Sequence, residues 1–291
     1  MSPTPIFVLG GPTAAGKTEL AIELAERFGA RLVSADAMQV YRGMDIGTAK
    51  PAPELLTRFP HDCVDVREVD EEFSVADFLR AVERARAESE RVIVVGGTPF
   101  WLRALVRPLA TLPPGDAELR ARLEELEDPH ARLAEVDPRS AARLHKNDRV
   151  RVVRALEVHA LSGRPMSELW EEDAGQAGPP TVVAWLDREE LRPRIAQRLS
   201  AMLAQGYLEE VRGLLARGYG PDHKPMRSLG YRHLSEHLRG EIPLDEAERR
   251  TERDTWQLAR KQRTWARGLG WVAVDPAEVR RRAVEVFSRP A

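Results

Sequence analysis

The sequence predicts an α/β protein: a parallel sheet flanked by helices, interrupted by a helical insertion. Three observations carry this. Over the first hundred residues, short apolar runs ending in glycine alternate with segments of helical period, the pattern of strands buried on both faces and their crossover helices. A Pro/Gly break at Leu112–Asp116 then opens a charged, helical stretch that runs to about residue 178. A strand-like run resumes at Thr181. Residues 1–112 and 179–291 are therefore assigned to an α/β core, and residues 113–178 to a helical insertion domain.

Pro5–Leu9 is the first strand, closed by glycines. Leu20, Leu24 and Phe28 recur every fourth residue on the helix that follows, and Gly29 stops it. Arg31–Asp36 is the second strand. Ser74 and Asp77 form a capping box that opens a helix burying Phe78, Val82 and Ala85. Arg91–Val95 is a further strand, ending at Gly96-Gly97. Within the insertion, helices are expected at Ala117–Leu126, Pro138–Leu144 and Asn147–Leu161, the last stopped by Gly163 and Pro165. Ala174–Pro180 is a loop, Thr181–Leu186 a strand, and the remainder mostly helix, with one long segment from Leu244 to Gly268.

Composition bounds the rest. The 291 residues carry 44 Lys+Arg against 46 Asp+Glu, a net charge of −2, and 43 % hydrophobic residues, enough for a sizeable core. The total charge offers no general signal for nucleic acid. A single cysteine, Cys63, excludes an internal disulfide and reads as a small core residue. Met1-Ser-Pro-Thr-Pro has no basic start, and no apolar run spans a bilayer, so a cytoplasmic protein without membrane contact is expected.

Gly11-Pro12-Thr13-Ala14-Ala15-Gly16-Lys17-Thr18 fits G-x-x-x-x-G-K-[ST] between a strand and a helix start. Backbone N–H groups there curl around phosphate oxygens at the positive end of the helix, Lys17 adds a cation, and the Thr18 hydroxyl suits Mg²⁺ or a phosphate. The core is thus P-loop NTPase-like. Nucleotidases of that kind carry a metal-binding Asp at the end of a second apolar strand. Here Val92–Val95 leads into Gly96-Gly97-Thr98, and the acidic residue expected nearest the pocket is Asp36. Its carboxylate suits a metal ligand, a general base or a cap for the following turn.

Gly10–Thr18, Ser34–Pro51, Pro60-His61 with Asp65, Gly96–Thr98, Asn147–Val158, Arg227–Tyr231 and Gln257–Arg267 together resemble the tRNA dimethylallyltransferase family, in the family's order along nearly the whole chain. The resemblance implies transfer of a dimethylallyl group from dimethylallyl diphosphate to N6 of the adenosine just 3′ of a tRNA anticodon. The P-loop would then hold an isoprenoid diphosphate. Lys17, Thr18, Mg²⁺ and Arg227 would stabilise the departing diphosphate, Asp36 would take or orient the N6 proton, and Thr98 would lie close to the reacting centre. Asp36-Ala37-Met38-Gln39 resembles the base-contacting stretch, the Gln39 amide being suited to an adenine edge, and Arg232 is a further RNA contact on the same resemblance. Tyr41 reads equally as a stacking partner or a core aromatic. Departures from the family pattern are Ala15 and Ala37 for Ser, Pro99-Phe100-Trp101 for Gly-Leu-Tyr, Trp256 for Arg, and His233 for Gln.

Local charge differs from the total. Arg139–Arg154 holds six Lys/Arg and one Asp, hence +5, with Arg149, Arg151 and Arg154 as candidate RNA contacts. Arg249–Arg267 holds seven Lys/Arg against Glu252 and Asp254, again +5. At ~100° per residue, Arg249, Arg253, Arg260 and Arg267 fall within about 40° of one another, with Trp256 on the same stripe. Arg253 and Arg260 are candidates for tracking an anticodon stem-loop. His233 and His237 lie one turn apart but lack the third ligand of a zinc site. A monomer is expected. The rival readings are an adenylate isopentenyltransferase, a P-loop small-molecule kinase and an RNA-binding module without turnover.

Overall fold

Apolar strands with no polar face must be covered on both sides, and that requirement organises the chain. The computed structural model describes residues 4–107, 109–173 and 178–288. The readings on Met1–Pro3 and on 174–177 of the expected loop lie outside the described residues. In chain order the elements are β1 (Ile6–Gly10), α1 (Lys17–Phe28), β2 (Arg31–Ala35), α2 (Pro53–Arg58), β3 (His61–Asp62), α3 (Val75–Glu88), β4 (Val92–Gly96) and α4 (Pro99–Val106). Then come α5 (Ala117–Glu124), α6 (Pro129–Val136), α7 (Pro138–Arg143), α8 (Arg149–Ser162) and α9 (Met166–Asp173). The chain closes with β5 (Thr181–Leu186), α10 (Leu191–Ala204), α11 (Tyr207–Ala216), a 3₁₀ turn at Lys224–Arg227, α12 (Tyr231–Leu238), α13 (Leu244–Gly268), β6 (Ala273–Val274) and α14 (Pro276–Phe287).

The strands form one parallel six-stranded sheet of order β3-β2-β4-β1-β5-β6. Every residue of β1 and β4 is buried. Alternation along them divides the core in two. Ile6, Val8, Val92 and Val94 face one side with Phe78, Trp101 and Leu234, while Phe7, Leu9, Ile93 and Val95 face the other with Leu24, Ile195 and Val279. The expected capping box at Ser74 is present, with the hydroxyl accepting from Asp77 N and the Asp77 carboxylate accepting from Ser74 N at 2.8 Å. Gly29 and Gly163 end α1 and α8 in the left-handed region that favours glycine. Cys63 is buried, and burial pushes its thiol up to about 12. Tyr41 is 6 % exposed and belongs to the core.

The chain divides into two compact units, residues 1–106 with 179–291 and residues 107–178, so the first division falls at 106/107 and not at 112/113. The reason is local: α4 continues the sheet-covering layer to Val106, with Leu102 and Leu105 buried in the first core. The second unit packs α5 to α9 around Leu133, Val152, Leu156 and Met166. Two carboxylates tie it together. Asp137, fully buried, accepts from the backbone N–H and hydroxyl of both Ser140 and Ser167 at 2.6–3.0 Å. Glu157, also fully buried, binds Arg120, Arg154 and the Asp116 N–H. Arg154, an expected RNA contact, thus spends its guanidinium on Glu157 and on the Pro113 carbonyl at 2.7 Å. Arg149 donates to the Glu124 and Leu126 carbonyls and Arg151 pairs with Asp148.

Candidate active site

The P-loop follows β1 and opens α1, as its sequence position requires. Ala14 (φ 63°) and Gly16 (φ 90°) both lie in the left-handed region, which turns the backbone back on itself before Lys17 starts the helix. The first N–H groups of α1 have no intrahelical acceptor and are available to an anion. Gly11 and Pro12 are buried beneath the turn. Lys17 Nζ donates to the Pro12 carbonyl at 2.7 Å. Burial lowers its ammonium to about 8, Asp36 pulls it back up, and the charge of Arg198 lowers it further.

A cavity of about 370 Å³ lies over the C-terminal ends of the strands. Thr13, Lys17, Thr18, Asp36, Met38 and Gln39 line it, and Arg227 reaches it from the 3₁₀ turn. The expected site residues are therefore brought together, although β2 and β1 are separated by β4 in the sheet. Asp36 Oδ1 accepts from Met38 N at 2.9 Å, so one carboxylate oxygen caps the following turn. Its other oxygen accepts no hydrogen bond among the described residues. Thr98 does not line the cavity: its hydroxyl accepts from Ala37 N at 3.1 Å, and its own N–H donates to the Ala35 carbonyl at 3.1 Å. It holds the segment that carries Asp36.

Gln39 is differently placed from the expectation of an amide open to a base. Its Oε1 accepts from Ser34 Oγ at 3.0 Å, and its Nε2 donates to the Thr48 and Ala49 carbonyls at 3.2 and 3.3 Å. Both ends of the amide are used internally, so Gln39 ties the 48–49 segment to β2.

The end of β4 explains the missing acidic residue. A Cβ on Gly96 would lie 2.2 Å from the Ala35 carbonyl oxygen, and one on Gly97 would lie 2.6 Å from Gln262 Nε2. Gly96 admits no side chain against that backbone, and one at Gly97 would displace the Gln262 amide; the carboxylate of this site comes instead from Asp36, just past β2.

Sequence reasoning missed Gln262 and three arginines. Gln262 is buried on α13, where its Oε1 accepts from Thr13 N at 2.9 Å and its Nε2 donates to the Gly97 carbonyl at 2.6 Å, clamping the P-loop to the end of β4. A glutamine between Ala259 and Ala266 on one helix face was the available signal. Arg188 and Arg194 donate to the Ala15 and Ala14 carbonyls, each at 2.9 Å, and Arg198 donates to the Thr13 hydroxyl.

The RNA stripe on α13 is uneven. Arg249 pairs with Asp245 and Glu246, and Arg253 and Arg232 share Asp254 with buried His233. Burial would raise the Asp254 carboxyl, but hydrogen bonds from Arg253 and His233 hold it below the usual range. Trp256 packs against the second core, beneath Arg263. Arg260 is exposed, and its side chain has no partner among the described residues.

A phosphate cradle that shares one cavity with a half-free carboxylate, on a parallel sheet, defines a P-loop α/β enzyme. The comparisons narrow it. Residues 39–269 match the IPP transferase family model. The chain is 45 % identical over 287 residues to the tRNA dimethylallyltransferase of Geobacter sulfurreducens, covering 93 % of this chain and 92 % of that one. Among solved structures, it aligns with the tRNA isopentenylpyrophosphate transferase of Staphylococcus epidermidis at a TM-score of 0.68 and 29 % identity, over 98 % of both chains. It aligns with a eukaryotic dimethylallyltransferase acting on tRNA at a TM-score of 0.79 and 26 % identity, over 91 % of this chain and 70 % of that one. The chain belongs to the IPP transferase family, that of the tRNA dimethylallyltransferases.

Proposed function

We propose that the protein transfers the dimethylallyl group of dimethylallyl diphosphate to N6 of the adenosine 3′-adjacent to the anticodon of tRNA, releasing diphosphate. The observation that carries this reading is the shared cavity: Thr13, Lys17 and Thr18 of the P-loop, Asp36 and Arg227 all line it. The allylic C–O bond breaks with its electron pair on the diphosphate oxygen, and the charge that builds there meets the P-loop amides, Lys17 and Arg227. N6 forms the new bond to carbon, and its proton passes to the Asp36 carboxylate. The Met38 N–H on Oδ1 fixes the carboxylate while leaving the other oxygen for this task. A base in a stacked loop must be extruded to reach the cavity.

The donor set suits Mg²⁺. Thr18 and Asp36 both face the cavity, and no group of three acidic, His or Cys ligands exists among the described residues. Mg²⁺ takes one or two protein oxygens together with phosphates and water. Thr18 would hold it, and when bound it supplies positive charge to the diphosphate. For the RNA we assign Met38 to the cavity wall near the base, Arg260 as the main phosphate contact on α13, and Arg149 and Arg151 on the helical unit as further contacts. We take the active unit to be a monomer in the cytoplasm, where its RNA substrate is. No described helix is long and apolar enough to cross a membrane.

The test is mass spectrometry of nucleosides after incubating anticodon stem-loop RNA with the protein, Mg²⁺ and dimethylallyl diphosphate. N6-isopentenyladenosine at the 3′-adjacent position is expected. Equal prenylation of AMP, or γ-phosphoryl transfer from ATP with no modified RNA, would replace this reading.

A further inference from the structure

Four non-glycine residues among those described have their backbone in the left-handed region: Ala14 in the P-loop, then Ala49 (φ 55°), Cys63 (φ 66°) and Asp65 (φ 54°). Such strain persists where the surroundings over-determine it, and it gathers at functional sites. The last three lie in two separate segments, and one side chain ties those segments together. Lys50, whose side chain is 3 % exposed, donates to the Tyr41 carbonyl and to Asp45 Oδ1, each at 2.6 Å, and to Asp65 Oδ1. An ammonium has three N–H donors and no acceptor, so every one is used. The backbone repeats the link: Asp65 N donates to the Gln39 carbonyl at 3.2 Å, Val66 N to the Val40 carbonyl at 2.9 Å, and Lys50 N to the Asp45 carbonyl at 3.0 Å. The loop thus closes around one buried cation. Asp36 and Met38 precede it, Gly47, Thr48, Ala49 and Pro51 end it, and all six line the cavity. A buried ion pair is weak evidence for stability, since an apolar side chain of similar size often serves as well. What Lys50 adds is a fixed geometry among three acceptors.

We infer that Lys50 is a positioning residue for the transfer step: it fixes the 47–51 wall of the cavity against the stretch that carries Asp36, and so sets where N6 of the base stands relative to the carboxylate. This rests on the prenyl-transfer reading. Lys50 does not itself line the cavity. It acts through Ala49 and Gln39, whose Nε2 donates to the Ala49 carbonyl at 3.3 Å. Without the ammonium, Asp45 and Asp65 are left as like charges with no cation between them, and Ala49 and Asp65 have less to hold them left-handed. The wall then recedes from Asp36. The P-loop shares no hydrogen bond with Lys50 or its three partners among the described residues, so donor binding stays as it is.

K50M on the full chain, with a side chain of similar length, should lower kcat for prenylation of anticodon stem-loop RNA by about 10²-fold, the cost of a misplacement of about 1 Å at a reacting centre. KM for the donor, and the calorimetric affinity for inorganic diphosphate with Mg²⁺, should stay within about threefold of wild type. K50M/D45N/D65N removes the facing charges as well. Its urea midpoint should return to that of wild type while kcat stays low, because neutral side chains do not restore the three bonds. Hydrogen exchange at residues 45–51 and 63–66 should be faster than wild type in both variants. A kcat within about threefold of wild type in K50M, or a kcat that recovers together with the midpoint in the triple variant, overturns the positioning role. D45A, which unmakes one of the three bonds at an exposed residue, serves if K50M does not fold: kcat should fall by less, with diphosphate affinity unchanged, and a wild-type kcat there overturns the role. Should wild type leave RNA unmodified, the prenyl-transfer reading fails, while exchange in K50M still decides whether Lys50 holds the wall.

Discussion

Glu210 is the test of how the nucleotide side of the cavity is held. It sits in the first turn of α11 and accepts four hydrogen bonds: Asp45 N and Ile46 N on Oε2 at 2.8 and 2.7 Å, then Gly47 N and the Tyr231 hydroxyl on Oε1 at 3.1 and 2.6 Å. The segment it caps continues into Thr48 and Ala49, whose carbonyls hold Gln39. The Asp45 bond is solvent-exposed, and water replaces it at little cost. The three half-buried bonds, at about 1 kcal/mol each, give about 3 kcal/mol for E210A. Y231F removes one of them and should cost about 1 kcal/mol in wild type but nothing in E210A, because the hydroxyl has then lost its acceptor. Urea unfolding of the four proteins measures this cycle. KM for RNA should rise in E210A while KM for the prenyl donor stays near wild type. E210A within 1 kcal/mol of wild type, or strict additivity with Y231F, would show that the carboxylate does not organise this segment.

Three further expectations are sharp enough to measure. Lys17 titrates near 8 in the free protein, and only its ammonium form attracts diphosphate, so kcat/KM for the donor should hold level below that pH and fall tenfold per unit above it; a profile flat to pH 9.5 would separate Lys17 from donor binding. R260A should weaken RNA binding and flatten its salt dependence more than R253A does, since Arg253 is already paired with Asp254; filter binding at several salt concentrations decides, and equal effects would mean that the internal pairing is irrelevant. G47A places a methyl carbon 2.2 Å from the ring of Tyr207, which is 1 % exposed and has nowhere to go. It should cost about 1–3 kcal/mol in urea unfolding, and an unchanged midpoint would mean that the segment moves freely.

What the sequence made legible follows from range. α13 was read with the bounds it has, Leu244–Gly268, and β5 likewise at Thr181–Leu186, because a long period or a clean apolar run announces itself locally. β3 and β6 have two residues each, too few to show alternation, and take their place only from neighbours. α9 begins one residue after Pro165, which was read as a stop; there Pro165 precedes the next helix. At the site, the P-loop and Asp36 were visible as motif residues. Arg198 was not, since in Arg194-Ile-Ala-Gln-Arg198 it looks like any surface arginine and its partner, Thr13, is far away in the chain. Gln39 shows the opposite case. Its chemistry suited a base edge, but the nearest acceptors and donor belong to the protein itself.

Charge follows the same rule. Counting by segment gave +5 to Arg249–Arg267, yet Arg249 pairs with Asp245 and Glu246 outside that stretch and Arg253 with Asp254 inside it, and an exposed pair of this kind contributes little field beyond a Debye length. What remains outward on that stripe, unpaired with any carboxylate among the described residues, is Arg260 and Arg267. Inside the cavity the inequality runs the other way. Lys17 and Arg198 come from stretches that stand out in no charge count; both feel Asp36 and Glu19, yet neither forms an ion pair among the described residues, in a setting that screens charge poorly. Positive potential that a polyanion can use arises where ion pairs are missing, and arginine density locates it only after the pairs are subtracted. On that argument the donor diphosphate meets cations in a poorly screened cavity and the RNA meets them at the exposed surface, so donor binding should lose less affinity to added salt than RNA binding does.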